Sequence, residues 1–136
     1  MKPEELQIGD WVLIDDEPKQ IVQLTKSKVC YHIFPNNSRL NYARYYEVRP
    51  ILITAEILEK NGFEFFKEHS NMWTCAIGTD WSIEVGLWQD MGMGTLIRCF
   101  KRESEGSNGI HLSYTPYVHQ LQQAFRLCRI DKKIKL

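Results

Sequence analysis

The side chains of this chain best suited to chemistry are four cysteines and four histidines, and their spacing limits what they can do. Cys30 and His32 lie two residues apart on a predicted strand, so they share a face as two ligands of a zinc site can. No second pair has ligand spacing, and His69 is isolated. We therefore expect no metal and no cofactor. We interpret the cysteines as reduced, buried thiols: Cys30, Cys75, Cys99 and Cys128.

A cysteine nucleophile is the second chemistry to consider. Cys99 and His111 lie on predicted strands that can be neighbours, which would bring a thiol and an imidazole together. Neither has a helix N-terminus or a basic cluster beside it, the features that activate a thiol. The acids are scattered, and residues 92–94 lack the third glycine of a dinucleotide site. We therefore predict a protein that is not an enzyme.

His119 and Gln120 are polar residues inside an otherwise amphipathic stretch near the C-terminus. One hypothesis is that they bind a partner or a ligand. The other is that the ring nitrogens of His119 tie the helix to a nearby backbone, since buried polar groups find hydrogen-bond partners. We favour the second and keep both residues as binding candidates.

Aromatic residues crowd the first part of the chain and alternate with arginines. Small barrels bind peptides or single-stranded nucleic acid through such surfaces, by stacking and cation–π contact. Tyr45 and Tyr46 cannot share one face of a strand, so we expect at least one to be exposed. The candidate binding residues here are Trp11, Tyr42, Arg44, Tyr45 and Tyr46.

A helix over 115–128 is the element expected to hold the rest together. Thr115 can cap it, and Pro116 suits its first position. Apolar residues recur at spacings of three and four, which places Val118, Leu121 and Phe125 on one face, and we expect this face to pack against strands.

Strand patterns fill most of the chain before that helix. Short apolar or alternating runs predict strands at 11–14, 21–24, 29–34 and 40–48, which indicates a small curled barrel. A capped helix follows at 54–61. Further strands at 63–66, 72–77, 81–88, 95–100 and 110–114 have no helices between them, which favours an antiparallel sheet. Residues 130–136 suggest a last edge strand.

The predicted fold class is therefore α+β. An N-terminal SH3-like small β-barrel lobe occupies residues 1–50, and a linking helix occupies 51–62. An antiparallel sheet packed by the C-terminal helix occupies 63–136. The opening segment Ile8-Gly9-Asp10-Trp11-Val12 is similar to the first strand of SH3-like barrels.

Composition points to an ordinary globular protein. The 136 residues carry 17 basic and 17 acidic side chains, a balance that gives no general attraction to nucleic acid or membrane. No apolar run approaches the roughly 20 residues that span a bilayer, and the first residues do not form a secretory signal, so we expect a cytoplasmic location. Five cations lie between residues 126 and 136. Either they interact favourably with the negative C-terminal end of the helix dipole, or they contact phosphates.

Three motifs resemble an uncharacterised bacterial family. They are the Gly9-Asp10-Trp11-Val12 start, the Ile53-to-Leu58 helix followed by Gly62-Phe63, and Tyr117-to-Gln123. Members of that family are short cytoplasmic proteins from phage-like or mobile regions of gut bacteria, with a C-terminal H-x-L-Q-N helix. This chain differs in having Gln123 in place of Asn, and Arg129-Ile130-Asp131 in place of a Thr-Gly turn. The resemblance implies no activity.

Two functions are therefore expected from the sequence. The leading one is a non-enzymatic interaction protein that binds another protein, in a phage or mobile-element context. The alternative is a nucleic-acid-binding module that uses Arg39, Arg44 and Arg49 with the basic C-terminal tail.

Overall fold

A computed structural model of the chain describes residues 1–33, 39–66, 71–88, 94–101, 110–113 and 116–136. These residues form two antiparallel sheets and two α-helices. The chain divides into two compact units. The first comprises Met1–Leu52 with Tyr117–His119, and the second comprises Ile53–Pro116 with Gln120–Leu136.

The first unit is built on one sheet. Its strands are β1 (Trp11–Ile14), β2 (Glu17–Leu24), β3 (Lys28–His32), β4 (Leu40–Arg44) and β5 (Val48–Pro50). They are all antiparallel and lie in the order β4-β3-β2-β1-β5. Short 3₁₀ turns occupy Pro3–Glu5 and Tyr45–Glu47.

Alternation along these strands gives the sheet two different faces. One face forms an apolar core, made of Val12, Ile14, Ile21, Val29, Tyr31 and Ala43 with Leu6 and Val48. The side chains between them lie on the opposite side, which we call the outer face. Across β3 and β4, its directly opposed pairs are Lys28 with Arg44, Cys30 with Tyr42 and His32 with Leu40.

The β1–β2 turn is tighter than expected. The sequence predicts a turn over 15–18, but Glu17 already pairs with Ile14, which leaves a two-residue turn. Asp15 and Asp16 both have positive φ, 54° and 62°. This is the geometry of a type I′ hairpin turn, in which the backbone twist matches that of the flanking strands.

The predicted strand over 40–48 is wrong in its second half. β4 ends at Arg44, and Tyr45–Glu47 form a 3₁₀ turn before β5. The amide of Arg44 donates to the Glu47 carboxylate at 2.6 Å, which closes this turn. This hydrogen bond from the backbone to the Glu47 side chain closes the turn where the alternating pattern predicts continued strand.

Helix α1 (Ala55–Lys60) begins and ends as the sequence predicts. The hydroxyl of Thr54 accepts from the Ile57 amide at 3.3 Å and caps the start. Gly62, with φ of 75°, ends the helix, and the Phe63 amide donates back to Leu58 at 3.0 Å. Ile53 precedes the Thr54 cap and Leu58 is the fourth helical residue, and both are buried, which is the arrangement of a hydrophobic staple.

The second unit contains the other sheet. Its strands are β6 (Glu64–Phe66), β7 (Met72–Ile77), β8 (Trp81–Trp88), β9 (Gly94–Lys101) and β10 (Ile110–Ser113). They follow one another in space as an antiparallel meander, β10-β9-β8-β7-β6, which confirms the predicted antiparallel arrangement. One face is buried and includes Trp73, Cys75, Ile83, Val85, Ile97 and Cys99.

Helix α2 (Val118–Leu127) confirms the predicted C-terminal helix but starts later. Pro116 precedes it and accepts from the Ile53 amide at 2.7 Å, and Tyr117 pairs with Leu52 in an isolated bridge. The proposed cap at Thr115 lies outside the described residues. Val118, Leu121 and Phe125 are 0%, 0% and 1% exposed, so this face is buried as expected.

The predicted edge strand at 130–136 is wrong. The segment has no strand pairing, yet Ile130 and Ile134 are buried. The Asn61 side chain holds it, with its amide nitrogen donating to the Lys135 carbonyl at 2.7 Å and its oxygen accepting from the Lys135 amide at 2.8 Å. The hydrogen bonds from this buried asparagine take the place of those that a neighbouring strand would make with an edge strand.

The fold class is α+β, as predicted, with mostly antiparallel sheets and a C-terminal helix. Among the described residues, no pairing joins β4 to β5, so the first sheet is not closed by hydrogen bonds into a barrel. No helix within the described ranges is long and apolar enough to cross a membrane.

Candidate functional site: the outer face of the first sheet

The outer face carries a cluster of exposed aromatic, apolar and basic side chains at β3 and β4. Tyr42 is 61% exposed and Tyr46 is 71% exposed, and Leu40, on the same edge strand, is 47% exposed. Lys28 and Arg44 face each other across the two strands. We call this set the basic aromatic patch: Lys28, Leu40, Tyr42, Arg44 and Tyr46.

Each cation of the patch lies over a tyrosine ring. The Lys28 ammonium is 3.9 Å from the centre of the Tyr42 ring, and the Arg44 guanidinium is 5.9 Å from that of Tyr46. An Arg44 Nη1 also donates to the Tyr46 hydroxyl at 3.2 Å. Cation–π contacts at exposed sites contribute roughly 0.5–1 kcal/mol, so the four side chains hold one another in place.

The open edge of β4 is occupied by side chains of the protein itself. The Tyr42 amide donates to the Asn41 side-chain oxygen at 3.0 Å, and the Arg44 amide donates to the Glu47 carboxylate. Unpaired amides on an edge strand are a template for adding a further strand. Because these two amides already have acceptors, they do not serve as donors to an added strand, and the side chains are the groups that the patch offers to a partner.

A pocket lies beside the patch, on β1–β3. It has a volume of about 210 Å³ and is lined by Trp11, Pro18, Lys19, Gln20, Val22, His32 and Ile33. The register shifts between Ile21 and Gln23, so a β-bulge sits at Val22 in the floor of this region. Because His32 pairs with Leu40, the pocket and the patch adjoin on one face.

Tyr45 is the predicted binding residue that the structure places elsewhere. It is half-buried, packs against the core of the first unit, and its hydroxyl donates to the Thr25 carbonyl at 2.6 Å. The prediction that one of the two adjacent tyrosines is exposed is met by Tyr46. The 3₁₀ turn over Tyr45–Glu47 gives the two tyrosines their different environments, and strand periodicity in the sequence does not predict this turn.

Arg39 and Arg49 were grouped with Arg44 from the sequence, and all three are exposed. Arg49 forms an ion pair with Asp16 at the β1–β2 turn, so part of its charge is balanced. Sequence reasoning missed Lys28, which contributes the closer of the two cation–π contacts. The cross-strand register that brings it beside Arg44 is not apparent from the spacing of the aromatic residues.

His119 lies in the first unit and is only 3% exposed. Its ring stacks on Tyr117 with centroids 5.7 Å apart, and its Nδ1 has no hydrogen-bond partner among the described residues. Burial lowers the pKa of His119, whereas the charges of Asp10 and Glu5 act to raise it. Gln120, half-buried, belongs to the second unit.

The sequence candidates for metal and nucleophile chemistry do not converge. Within the described ranges, no group of three His, Cys, Asp or Glu side chains is gathered to hold a metal ion. Cys99 pairs in register with Ile110, and His111 pairs with Arg98. Burial and the neighbouring Cys128 thiol raise the pKa of Cys99 to about 12, which keeps it protonated and a poor nucleophile.

The other sheet has a groove of its own, on the side opposite its buried face. It has a volume of about 440 Å³ and is lined by Phe66, Met72, Thr74, Ser82, Glu84 and Arg98. Glu84 and Arg98 form an ion pair of 3.5 Å in its floor. This pair satisfies both charges internally, so the groove offers a partner less free charge than the basic aromatic patch does.

Comparison of the chain with protein-family models, curated sequences and solved structures found no match.

Proposed function

We propose that this protein is a non-enzymatic interaction protein that binds another protein through the basic aromatic patch. The observation that carries the proposal is the pair of tyrosines, 61% and 71% exposed, each beside a cation on one face of a sheet edge. Tyrosine and arginine are the side chains that most often dominate binding energy at protein interfaces. In this proposal the first unit acts as an SH3-like lobe, in the cytoplasm and in a phage or mobile-element context.

A photocrosslinking experiment tests this function. A benzophenone amino acid replaces Tyr42 in one variant and Leu127 in a control, since Leu127, at 68% exposed, is comparable to Tyr42 at 61%. We expect the Tyr42 position alone to give one discrete crosslinked protein from the native host, identified by mass spectrometry. The same protein, made pure, should bind the wild-type chain and lose at least about tenfold in affinity, or about 1.4 kcal/mol, with Tyr42→Ala and Tyr46→Ala combined.

Two outcomes would contradict the proposal. One is a crosslinked protein that appears equally at Leu127. The other is a purified partner whose affinity the double alanine variant leaves unchanged. The second result would move the interface away from the patch.

Nucleic-acid binding is the second candidate, because cations interleaved with exposed rings also suit single strands. Arg129, Lys133 and Lys135 of the C-terminal segment are exposed and would contribute phosphate contacts. This function predicts affinity that falls steeply as salt rises. A mobility-shift assay at low salt with single- and double-stranded DNA and RNA checks it, and the absence of any shift would exclude it.

A further inference from the structure

The charges of the first unit are strongly separated along its sequence. Six of its seven acids lie within residues 1–17, and six of its seven cations lie within residues 19–49. In the sheet order, the acid-rich turn joins β1 and β2, whereas the patch cations lie on β3 and β4 at the far edge. Glu47 is the acid nearest the patch in the sequence, and its carboxylate accepts from the Arg44 amide, so the patch carries the two cations Lys28 and Arg44 against this one carboxylate. The patch therefore presents a positive surface in a unit of balanced charge.

The geometry of the two cations distinguishes carboxylates from nucleobases. With the Lys28 ammonium 3.9 Å over the Tyr42 ring, one face of that ring is already covered, whereas the Arg44 guanidinium lies 5.9 Å from the centre of the Tyr46 ring and donates to its hydroxyl. A base that stacked on that face would have to displace the cation. A carboxylate can instead accept hydrogen bonds from the N–H groups that point away from the ring, and such charge-assisted bonds are stronger than neutral ones. The patch thus favours an acidic side chain.

The neighbouring pocket adds a second requirement, that the partner supply an apolar side chain. Its volume of about 210 Å³ is below the range of about 300–1,000 Å³ typical of small-molecule sites, so it suits a single side chain. Trp11 and Val22 supply apolar walls there, and Gln20 is tied to the Gly9 carbonyl at 3.0 Å. From β4 to β1 there are three strand spacings of about 4.8 Å, or roughly 14 Å, which an extended segment crosses in about four residues.

We infer that the first unit recognises an acidic, extended peptide segment of its protein partner. One or two carboxylates bind Lys28 and Arg44, and an apolar side chain about four residues away enters the Trp11–His32 pocket. The segment crosses the strands and lies on the outer face, because the β4 amides are already bonded to Asn41 and Glu47. This inference rests on the proposed interaction function and specifies its partner chemistry.

Selection from a random peptide library displayed against the full chain tests the inference. We expect enrichment of peptides that carry Asp or Glu and, about four positions away, a large apolar residue. Binding of an enriched peptide should weaken at least about tenfold with Lys28→Gln and Arg44→Gln combined, and should fall as salt rises. Trp11→Ala should weaken binding of that peptide. It should leave unchanged the affinity for a derivative of the peptide in which the apolar residue is replaced by serine.

The matched control is Lys132→Gln with Lys133→Gln, which removes the same charge from the C-terminal segment and should leave affinity within about twofold. Enrichment of neutral or basic peptides, no enrichment at all, or equal losses in the two double variants would overturn the inference. A labelled thymidine oligonucleotide is tested in parallel. If it binds through Lys28 and Arg44 and no acidic peptide competes with it, the patch is a nucleic-acid site instead.

The experiments distinguish a failure of the interaction function from a failure of the acidic-segment inference. If crosslinking at Tyr42 identifies a partner whose binding does not depend on Lys28 or Arg44, the interaction function stands and the acidic segment is wrong. If neither the crosslinking nor the library gives a patch-dependent ligand, both are wrong.

Discussion

Arg129 occupies a backbone position that favours glycine. Its φ is 55°. The Arg129 amide donates to the Arg126 carbonyl at 3.0 Å, and the Ile130 amide donates to the Phe125 carbonyl at 2.8 Å. These two bonds define a Schellman motif. α1 ends in the same motif with Gly62 at the equivalent place. A side chain in this region costs roughly 1–2 kcal/mol. α2 therefore ends in this motif without the glycine that ends α1.

Arg129→Gly should stabilise the protein by about 1 kcal/mol, because it removes this cost without removing a backbone hydrogen bond. Urea denaturation followed by circular dichroism measures the change. Arg126→Gly, three residues earlier and inside the helix, is the control and should destabilise by about 1 kcal/mol. Equal effects of the two substitutions would show that the Arg129 conformation is not what limits the end of the helix.

His119 links stability to pH. Because burial lowers its pKa below the ordinary value, the unfolded chain binds a proton at a higher pH than the folded chain does. Its contribution to stability is therefore complete above about pH 6.5 and is lost as the pH falls from there through the folded pKa. In the wild type, the denaturant concentration at the midpoint of unfolding should decrease as the pH is lowered through this window. In His119→Gln the midpoint should depend less on pH over the same window. An unchanged pH dependence would assign the effect to other groups.

At the scale of elements, both helices are predictable from a periodic apolar face, and α1 also has a local signal at each end. Thr54 and Gly62 mark α1 in the sequence as well as in the structure. The strand ends were harder, since Tyr45 and Tyr46 continue the alternation although the chain has turned. The C-terminal segment was mistaken for a strand because Asn61, some seventy residues earlier, is what satisfies its backbone, and no local pattern shows such a partner.

Leu121 and Leu127 give a test of the α2 packing within one helix. Leu121 is 0% exposed and Leu127 is 68% exposed. Leu121→Ala should cost roughly 2–5 kcal/mol, because a cavity replaces buried methyl groups. Leu127→Ala should stay within about 0.5 kcal/mol. Chemical denaturation of both variants checks this, and similar losses at the two positions would mean that the buried face of α2 is assigned wrongly.

The candidate site was only partly predictable for the same reason as the strand ends. Tyr42, Arg44 and Tyr46 were identified from composition, but their arrangement depends on register. Lys28 enters the patch because it lies opposite Arg44, and the pocket forms because Trp11 pairs with Gln20. Register is set by turn geometry and by the buried face, and neither is fixed by the spacing of aromatic residues alone.

At the scale of the whole molecule, the first unit is discontinuous in sequence. Met1–Leu52 is joined by Tyr117–His119, with a bridge between Leu52 and Tyr117 and a 2.9 Å bond from the Val118 amide to the Ile51 carbonyl. Val118 and His119 are buried, so these late residues are not a connection that lies on the surface. A fragment that stops at residue 52 lacks all of them.

The isolated fragment 1–52 should therefore fail to fold cooperatively. A chain of this length buries only about 60% of its surface at best, which leaves it marginal even when complete. Thermal unfolding followed by circular dichroism should show no sharp transition, and Trp11, the fragment's one tryptophan, should emit as it does in denaturant. The full chain is the control and should unfold with a clear transition. If the fragment instead melted cooperatively near the temperature of the full chain, residues 117–119 would be dispensable, and the sheet that carries the patch would be an independent domain.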